Sequence, residues 1–197
     1  MRPNITIVDI GGGNLGAVRS AFSRLGAQTI TSADPDLIAK AERVVLPGVG
    51  HAEPVMNHLN STGIAEVLQT FERPLLGVCL GMQLMYQSLD EGDICGLGLL
   101  PGRVKKLQPA AGFRVPNMGW CQLHADRSHP ISNGLRGGDY AYFVHSFAAD
   151  VDQHTILSAQ ASKPITALAA FENRVGAQFH PERSGPVGQK LLENFLC

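Results

Sequence analysis

Two separated segments hold residue types that together can run nucleophilic catalysis. In Pro74-Leu75-Leu76-Gly77-Val78-Cys79-Leu80-Gly81-Met82-Gln83, an apolar run suited to a buried strand ends at a cysteine, and a helical run begins at once. Gly77 and Gly81 stand two residues to either side of the thiol. Small neighbours permit a strained strand-to-helix turn that lifts the sulfur clear of the sheet. The helix N-terminus supplies partial positive charge, which favours thiolate, and the Leu80 N–H is free to bind an oxyanion. A cysteine in an apolar run is by default a packing residue, and the flanking glycines set Cys79 apart.

The second segment is Val175-Gly176-Ala177-Gln178-Phe179-His180-Pro181-Glu182. A strand delivers His180 at its end. In extended geometry His180 and Glu182 point the same way, and Pro181 stiffens the link. A carboxylate beside an imidazole fixes its tautomer and stabilises the imidazolium formed in catalysis. His180 is therefore a base and acid for Cys79, with Glu182 as its orienter. A third segment, Leu46-Pro47-Gly48-Val49-Gly50, is a glycine-rich turn after a buried strand. It can aim a backbone N–H into the same crevice, because strand C-terminal ends share one edge of a parallel sheet.

The elements that must position these residues follow from the hydrophobic pattern. Strands are expected over Ile5 to Asp9, Gln28 to Thr31, Arg43 to Leu46 and Pro74 to Val78. A helix capped by Asn14 runs to Gly26, with Leu15, Val18, Ala21, Phe22 and Leu25 at helical spacing. A second helix is expected from Leu80 to Leu89. Apolar strands alternating with helices argue for a parallel sheet covered on both faces. The second half reads as β-rich, with strands over Arg103 to Gln108, Tyr140 to Phe147, Thr155 to Ala161, Ile165 to Phe171 and Val175 to Phe179. A closing helix runs from about Val187 to Leu196. Gly11, Gly13 and Gly16 form G-x-G-x-x-G after the first strand, but one such match in a chain with 22 glycines reads as a tight βα turn, not a dinucleotide site.

The chain has 197 residues and a formal net charge of -1, with no basic run to bind nucleic acid. No apolar stretch is long enough to cross a bilayer, no signal peptide is evident, and a cytoplasmic protein is expected. The four cysteines, Cys79, Cys95, Cys121 and Cys197, lack disulfide or zinc spacing, and the last three are read as inert. His51, His58, His124 and His129 are read as solvated surface residues, so no metal and no cofactor is expected.

In this order, Pro-Gly-Val-Gly, Gly-Val-Cys-Leu-Gly-Met-Gln and His-Pro-Glu resemble the class I, triad-type glutamine amidotransferases. Asp9 to Leu15, Tyr142-Phe143-Val144-His145-Ser146-Phe147 and His180 to Gly185 narrow the likeness to the amidotransferase subunits of imidazole glycerol phosphate synthases. The resemblance spans essentially the whole chain, taken as one domain over residues 1–197. It implies an α/β, flavodoxin-like, doubly wound and mostly parallel sheet with a β-rich antiparallel extension in the second half. It further implies that Cys79 forms a γ-glutamyl thioester with L-glutamine, that His180 protonates the leaving ammonia and activates water, and that Glu182 orients His180. Leu80 and the Gly48–Val49 loop would make the oxyanion hole, the loop needing a partner-driven peptide flip. Gln83 would hold glutamine, and the Ser146 and Phe147 backbone would grip its amino-acid end. The implied partner, in a 1:1 heterodimer, is a (β/α)₈-barrel cyclase that receives the ammonia and makes imidazole glycerol phosphate and an aminoimidazole carboxamide ribonucleotide. Asn14, Trp120, Tyr142 and Arg183 match positions near that interface.

The chain departs from this pattern in places. Pro116-Asn117-Met118-Gly119-Trp120-Cys121 stands where Pro-His-Met-Gly-Trp-Asn is usual. Ala17 replaces a common serine, and Phe147-Ala148 replaces a tyrosine-rich pair. Two further readings therefore stay open: a paralogue that feeds ammonia to another barrel synthase, such as one amidating a nucleotide sugar, and a cysteine hydrolase on the same scaffold.

Overall fold

The computed structural model describes residues 3–12 and 14–197, so Gly13 of the glycine-rich turn lies outside the described residues. The first half contains β1 (Ile5–Val8), α1 (Leu15–Arg24), β2 (Thr29–Ser32), α2 (Pro35–Lys40), β3 (Arg43–Leu46), α3 (Ala52–Ser61), α4 (Ile64–Gln69), β4 (Leu75–Val78) and α5 (Leu80–Met85). Next come β5 (Tyr86–Leu89), β6 (Ile94–Cys95), β7 (Leu100–Lys106), β8 (Asn117–Ala125), β9 (Tyr140–His145) and β10 (Phe147–Ala149). The chain closes with β11 (Thr155–Gln160), β12 (Pro164–Phe171), β13 (Arg174–Ala177) and α6 (Gly185–Phe195). Among the described residues, no helix is long and apolar enough to cross a membrane.

One nine-stranded sheet has the order β2-β1-β3-β4-β13-β12-β11-β8-β9. Pairings from β2 through β13 are parallel, and those from β13 through β9 are antiparallel. The parallel strands read as apolar runs because both faces are covered. Along β3, Val44 and Leu46 enter one buried cluster with α2 to α5, while Val45 enters the other, with α1 and α6. That alternation is the period of a strand buried on both sides. The antiparallel extension does not stay in one sheet. A second, four-stranded sheet has the order β10-β7-β5-β6 and sits beside the first.

Several elements differ from expectation, three of them for clear physical reasons. The helix expected over Leu80 to Leu89 ends at Met85, and Tyr86–Leu89 is a strand of the small sheet. Every residue of α5 is buried, so no amphipathic period marks where the helix stops. Its terminal carbonyls are capped from outside: Leu97 N–H donates to Leu84 O at 2.7 Å and Leu99 N–H to Met85 O at 2.7 Å. The strand expected over Tyr140 to Phe147 breaks at Ser146, so β9 joins the large sheet and β10 the small one. Strand β8 has no counterpart among the expected elements, because only Leu123 of its nine residues is buried and apolar alternation is weak.

Candidate active site

Cys79 occupies a backbone conformation that only β4 and α5 together can enforce. Its φ is 54° and its ψ is -111°, in the left-handed half of φ/ψ space where non-glycine residues are strained. Helix α5 folds back against β4 on one side of the elbow, and the end of β3 presses on the other. A Cβ on Gly81 would lie 1.9 Å from the Leu46 carbonyl oxygen, and one on Gly77 would lie 2.4 Å from the Met85 sulfur. Both flanking glycines are therefore required by close approach. The Cys79 N–H donates to Ala177 O at 2.8 Å, which ties the elbow to β13.

His180 follows the same end of β13, three residues past the strand. It is not extended through to Glu182 as expected: it opens a 3₁₀ turn over Pro181–Arg183. That turn still brings Glu182 back to it, with Nδ1 to Oε1 at 2.8 Å and both side chains almost fully buried. The His180 backbone N–H donates to Tyr142 O at 2.9 Å, and Ser184 Oγ donates to His180 O at 2.7 Å. The imidazole Nε2 meets no partner in hydrogen-bonding geometry among the described residues. Burial works against the imidazolium, but the interactions with Cys79 and with the Glu182 carboxylate outweigh it and push the His180 pKa up to about 10. His180 is thus a proton donor at neutral pH.

Cys79, His180 and Glu182 line one cavity of about 410 Å³, within the range of small-molecule sites. The Cys79 thiol points toward Val144 O at 3.8 Å. Leu80, Val49, Gln83, Ser146 and Phe147 line the same cavity, as do Asn14 and Arg183. Gly48 packs directly on the elbow, where its added Cβ would lie 2.7 Å from Leu80 Cβ. Three loops from separate parts of the sequence therefore meet at one thiol.

A class-I glutamine amidotransferase family model matches residues 6–197. The chain belongs to the class-I glutamine amidotransferases. It is 45% identical over 193 residues to the imidazole glycerol phosphate synthase subunit HisH of Xanthomonas campestris pv. campestris strain 8004, covering 98% of this chain and 96% of that one. The subunit of the same name from Xylella fastidiosa strain Temecula1 is 44% identical over 192 residues, with coverage of 98% and 96%. Among solved structures, PurLQS from Thermotoga maritima superposes with a TM-score of 0.74 at 21% identity, covering 100% of this chain and 98% of that one. The glutaminase domain of Trypanosoma brucei CTPS gives 0.67 at 12% identity, covering 98% and 93%. These two likenesses establish the fold.

In this amidotransferase two of the anticipated interface residues, Asn14 and Arg183, line the cavity, and Tyr142 and Trp120 follow outward from Arg183. Asn14 precedes α1, but its side chain makes no capping hydrogen bond among the described residues. The Arg183 guanidinium sits 5.1 Å from the Tyr142 ring centroid, and Trp120 meets Tyr142 edge-on at 6.0 Å. Trp120 is 56% exposed and Met118 63% exposed, so neither is a core residue. Gln83 Nε2 donates to Phe147 O at 2.8 Å and to Gln178 Oε1 at 2.9 Å.

Sequence reasoning gave no role to four residues in or beside the cavity. Gln178 is fully buried, with Nε2 4.0 Å from Cys79 Sγ. Glu91 lines the cavity, accepts from Ala52 N–H at 3.0 Å and lies 3.2 Å from His51 Nδ1. His145 and Asn117 bond to each other behind Phe147. Gln178, His145 and Asn117 each lie inside a segment quoted above, but no spacing marks their contacts, and Glu91 lies in none of those segments. His58 is corrected as well: it is half-buried, with Nε2 shielded and unpartnered among the described residues, and is not a solvated residue. Among the described residues, no group of three or more His, Cys, Asp or Glu side chains could hold a metal ion.

Proposed function

We propose that this chain is the glutaminase subunit of an imidazole glycerol phosphate synthase in histidine biosynthesis. The observation that carries the reading is the strained Cys79 elbow facing the His180–Glu182 pair in one cavity. It occurs in a chain 45% identical almost end to end to subunits of that name. The Cys79 thiolate attacks the carboxamide carbon of L-glutamine, and the negative oxygen that forms is met by the Leu80 N–H at the start of α5. Protonated His180 gives its proton to the departing nitrogen, which leaves as ammonia, and a γ-glutamyl thioester remains. Neutral His180 then takes a proton from water. The hydroxide attacks the thioester, the C–S bond breaks, and glutamate departs. Glu182 holds the His180 tautomer throughout through Nδ1.

The Gly48–Val49 loop would complete the oxyanion hole when the partner docks. The Ser146 carbonyl already accepts from Leu107 N–H, and that of Phe147 from Gln83 and His145. A substrate carboxylate would therefore reach this stretch through its N–H groups. Glu91, an anionic group on the cavity wall, suits the ammonium of the substrate. Asn14, Trp120, Tyr142 and Arg183 would form the rim on which a (β/α)₈-barrel cyclase seats, one cyclase to one glutaminase, in the cytoplasm, with ammonia passing inward to the barrel.

Steady-state glutaminase assays with and without the cyclase test this. Turnover is expected to be weak for the chain alone and to rise by roughly a hundredfold or more with the liganded cyclase, as expected when an oxyanion donor is restored. Full turnover without a partner would defeat the gating. Cys79→Ala is expected to abolish glutamine-dependent synthesis by the complex and leave synthesis from free ammonia intact. Loss of both would mean that Cys79 serves structure and not chemistry.

A further inference from the structure

A hydrogen-bonded chain runs from strand β8 to the wall of the cavity. Asn117 Nδ2 lies 3.0 Å from His145 Nε2, and His145 Nδ1 lies 2.8 Å from the Phe147 carbonyl oxygen. A carbonyl can only accept, so Nδ1 carries the proton. Nε2 is then a bare acceptor, and Asn117 must present its NH₂ group to it. That orientation turns Asn117 Oδ1 to the Cys121 thiol, 3.6 Å away. Burial, helped by the nearby His180 and opposed by the bond to Phe147 O, pushes the His145 pKa down to about 4, so the ring is neutral wherever the enzyme would work. The two residues that depart from the family pattern, Asn117 and Cys121, are thus consecutive links of one chain.

The same Phe147 carbonyl accepts from Gln83 Nε2 at 2.8 Å, so both of its lone pairs are filled. The second Gln83 N–H goes to Gln178 Oε1 at 2.9 Å. With both N–H groups engaged, Gln83 can offer the cavity only its oxygen, an acceptor. An acceptor at that place suits the ammonium group of an amino acid. Neither Asn117 nor His145 takes part in the proton transfers of Cys79, His180 and Glu182, yet His145 is almost fully buried.

We propose that Asn117 and His145 are positioning residues that hold the Phe147 carbonyl against Gln83, so that Gln83 Oε1 faces the ammonium group of the substrate. This rests on the glutaminase reading of the cavity. Two reagents separate the roles in the full-length chain. Iodoacetamide alkylates Cys79 without needing an amino-acid end, and peptide mapping of each time point separates that adduct from those at the exposed Cys95 and Cys197. A chloroketone analogue of glutamine, which keeps the α-ammonium and α-carboxylate groups, transfers to the same sulfur with loss of chloride.

His145→Phe removes the donor to Phe147 O, and Asn117→Leu removes the donor that braces the His145 ring through Nε2. Labelling by the chloroketone is expected to slow about tenfold in His145→Phe and by somewhat less in Asn117→Leu, while iodoacetamide labels all three proteins at similar rates. Asn117→His, which restores a ring N–H at that place, is expected to recover most of the chloroketone rate. In the parent protein, the ring nitrogen shifts of His145 are expected to read the Nδ1–H tautomer. Equal slowing with both reagents, or slowing with neither, overturns the proposal, as does an Nε2–H tautomer in the parent protein. A parent protein that iodoacetamide labels and the chloroketone does not would overturn the glutaminase reading as well.

Discussion

The elbow beneath Cys79 borders the cavity on one side and β9, with β8 paired to it as a rim, on another, and the two are built by opposite means. At the elbow, backbone meets backbone: Gly81 lies so close to the Leu46 carbonyl that a single methyl group has no room. At the rim, large side chains stand in solvent, with Trp120 and Met118 more than half exposed. The elbow belongs to the parallel half of the sheet, where both faces are covered and β4 is held between β3 and β13. The rim belongs to the antiparallel end, where β9 is an edge strand. Interior close packing transmits a small change of volume at once, whereas an exposed surface absorbs it. Cys79 thus sits where geometry cannot vary, and the proposed partner would dock where it can.

The sharpest way to break this comparison is Gly81→Ala. The added methyl group would strike the Leu46 carbonyl, a backbone atom that cannot swing aside. A destabilisation of at least about 2 kcal/mol is expected, read from the urea midpoint, with loss of glutaminase turnover. Unchanged stability would show that the elbow is more yielding than its contacts imply.

The next effect concerns pH. His180 holds its proton more tightly folded than unfolded, so its contribution to stability is complete below about pH 6.5 and is lost as pH rises toward about 10. His145 is the reverse: its contribution is complete above about pH 6.5 and is lost as pH falls toward about 4. From these two groups, stability is highest near neutrality. Cys79→Ala is expected to shrink the alkaline limb and His145→Phe the acid limb, each followed by denaturant titration across pH. Unchanged limbs in both variants would mean that other groups set the profile.

The smallest effect is expected at the rim. Trp120→Ala should move the stability of the isolated chain by no more than about 0.5 kcal/mol, because the indole covers little core. The same change should weaken binding to the cyclase by about tenfold or more in a titration, as for an aromatic anchor. A large loss of stability with intact binding would reverse the contrast between elbow and rim.

How much could be read from the sequence follows the same divide. Strand β3 was legible to the residue, because Arg43–Leu46 is an apolar run cut off by Pro47-Gly48. The elbow at Cys79 was legible from its two flanking glycines, and the pairing of His180 with Glu182 from His180-Pro181-Glu182. The end of α5 was not, since a helix buried all round carries no period, and the groups that terminate it come from Leu97 and Leu99. Strand β8 was hidden because its neighbours bury almost none of it. Asn117 and His145 lie 28 residues apart and meet only through the β8–β9 register, so no local pattern could announce their bond.

Helix α5 contains six residues, anchored by the elbow at one end and by the small sheet at the other. Four residues separate the sulfur of Cys79 from the amide of Gln83, which on a helix is a rise of about 6 Å. In the proposed reaction the segment would therefore serve as a ruler that sets where the reacting bond lies relative to the groups gripping the far end of the molecule. One inserted or deleted residue would turn Gln83 by about 100° away from Phe147 and leave no slack to recover it. Substitutions within α5 can be repacked, but its length cannot change.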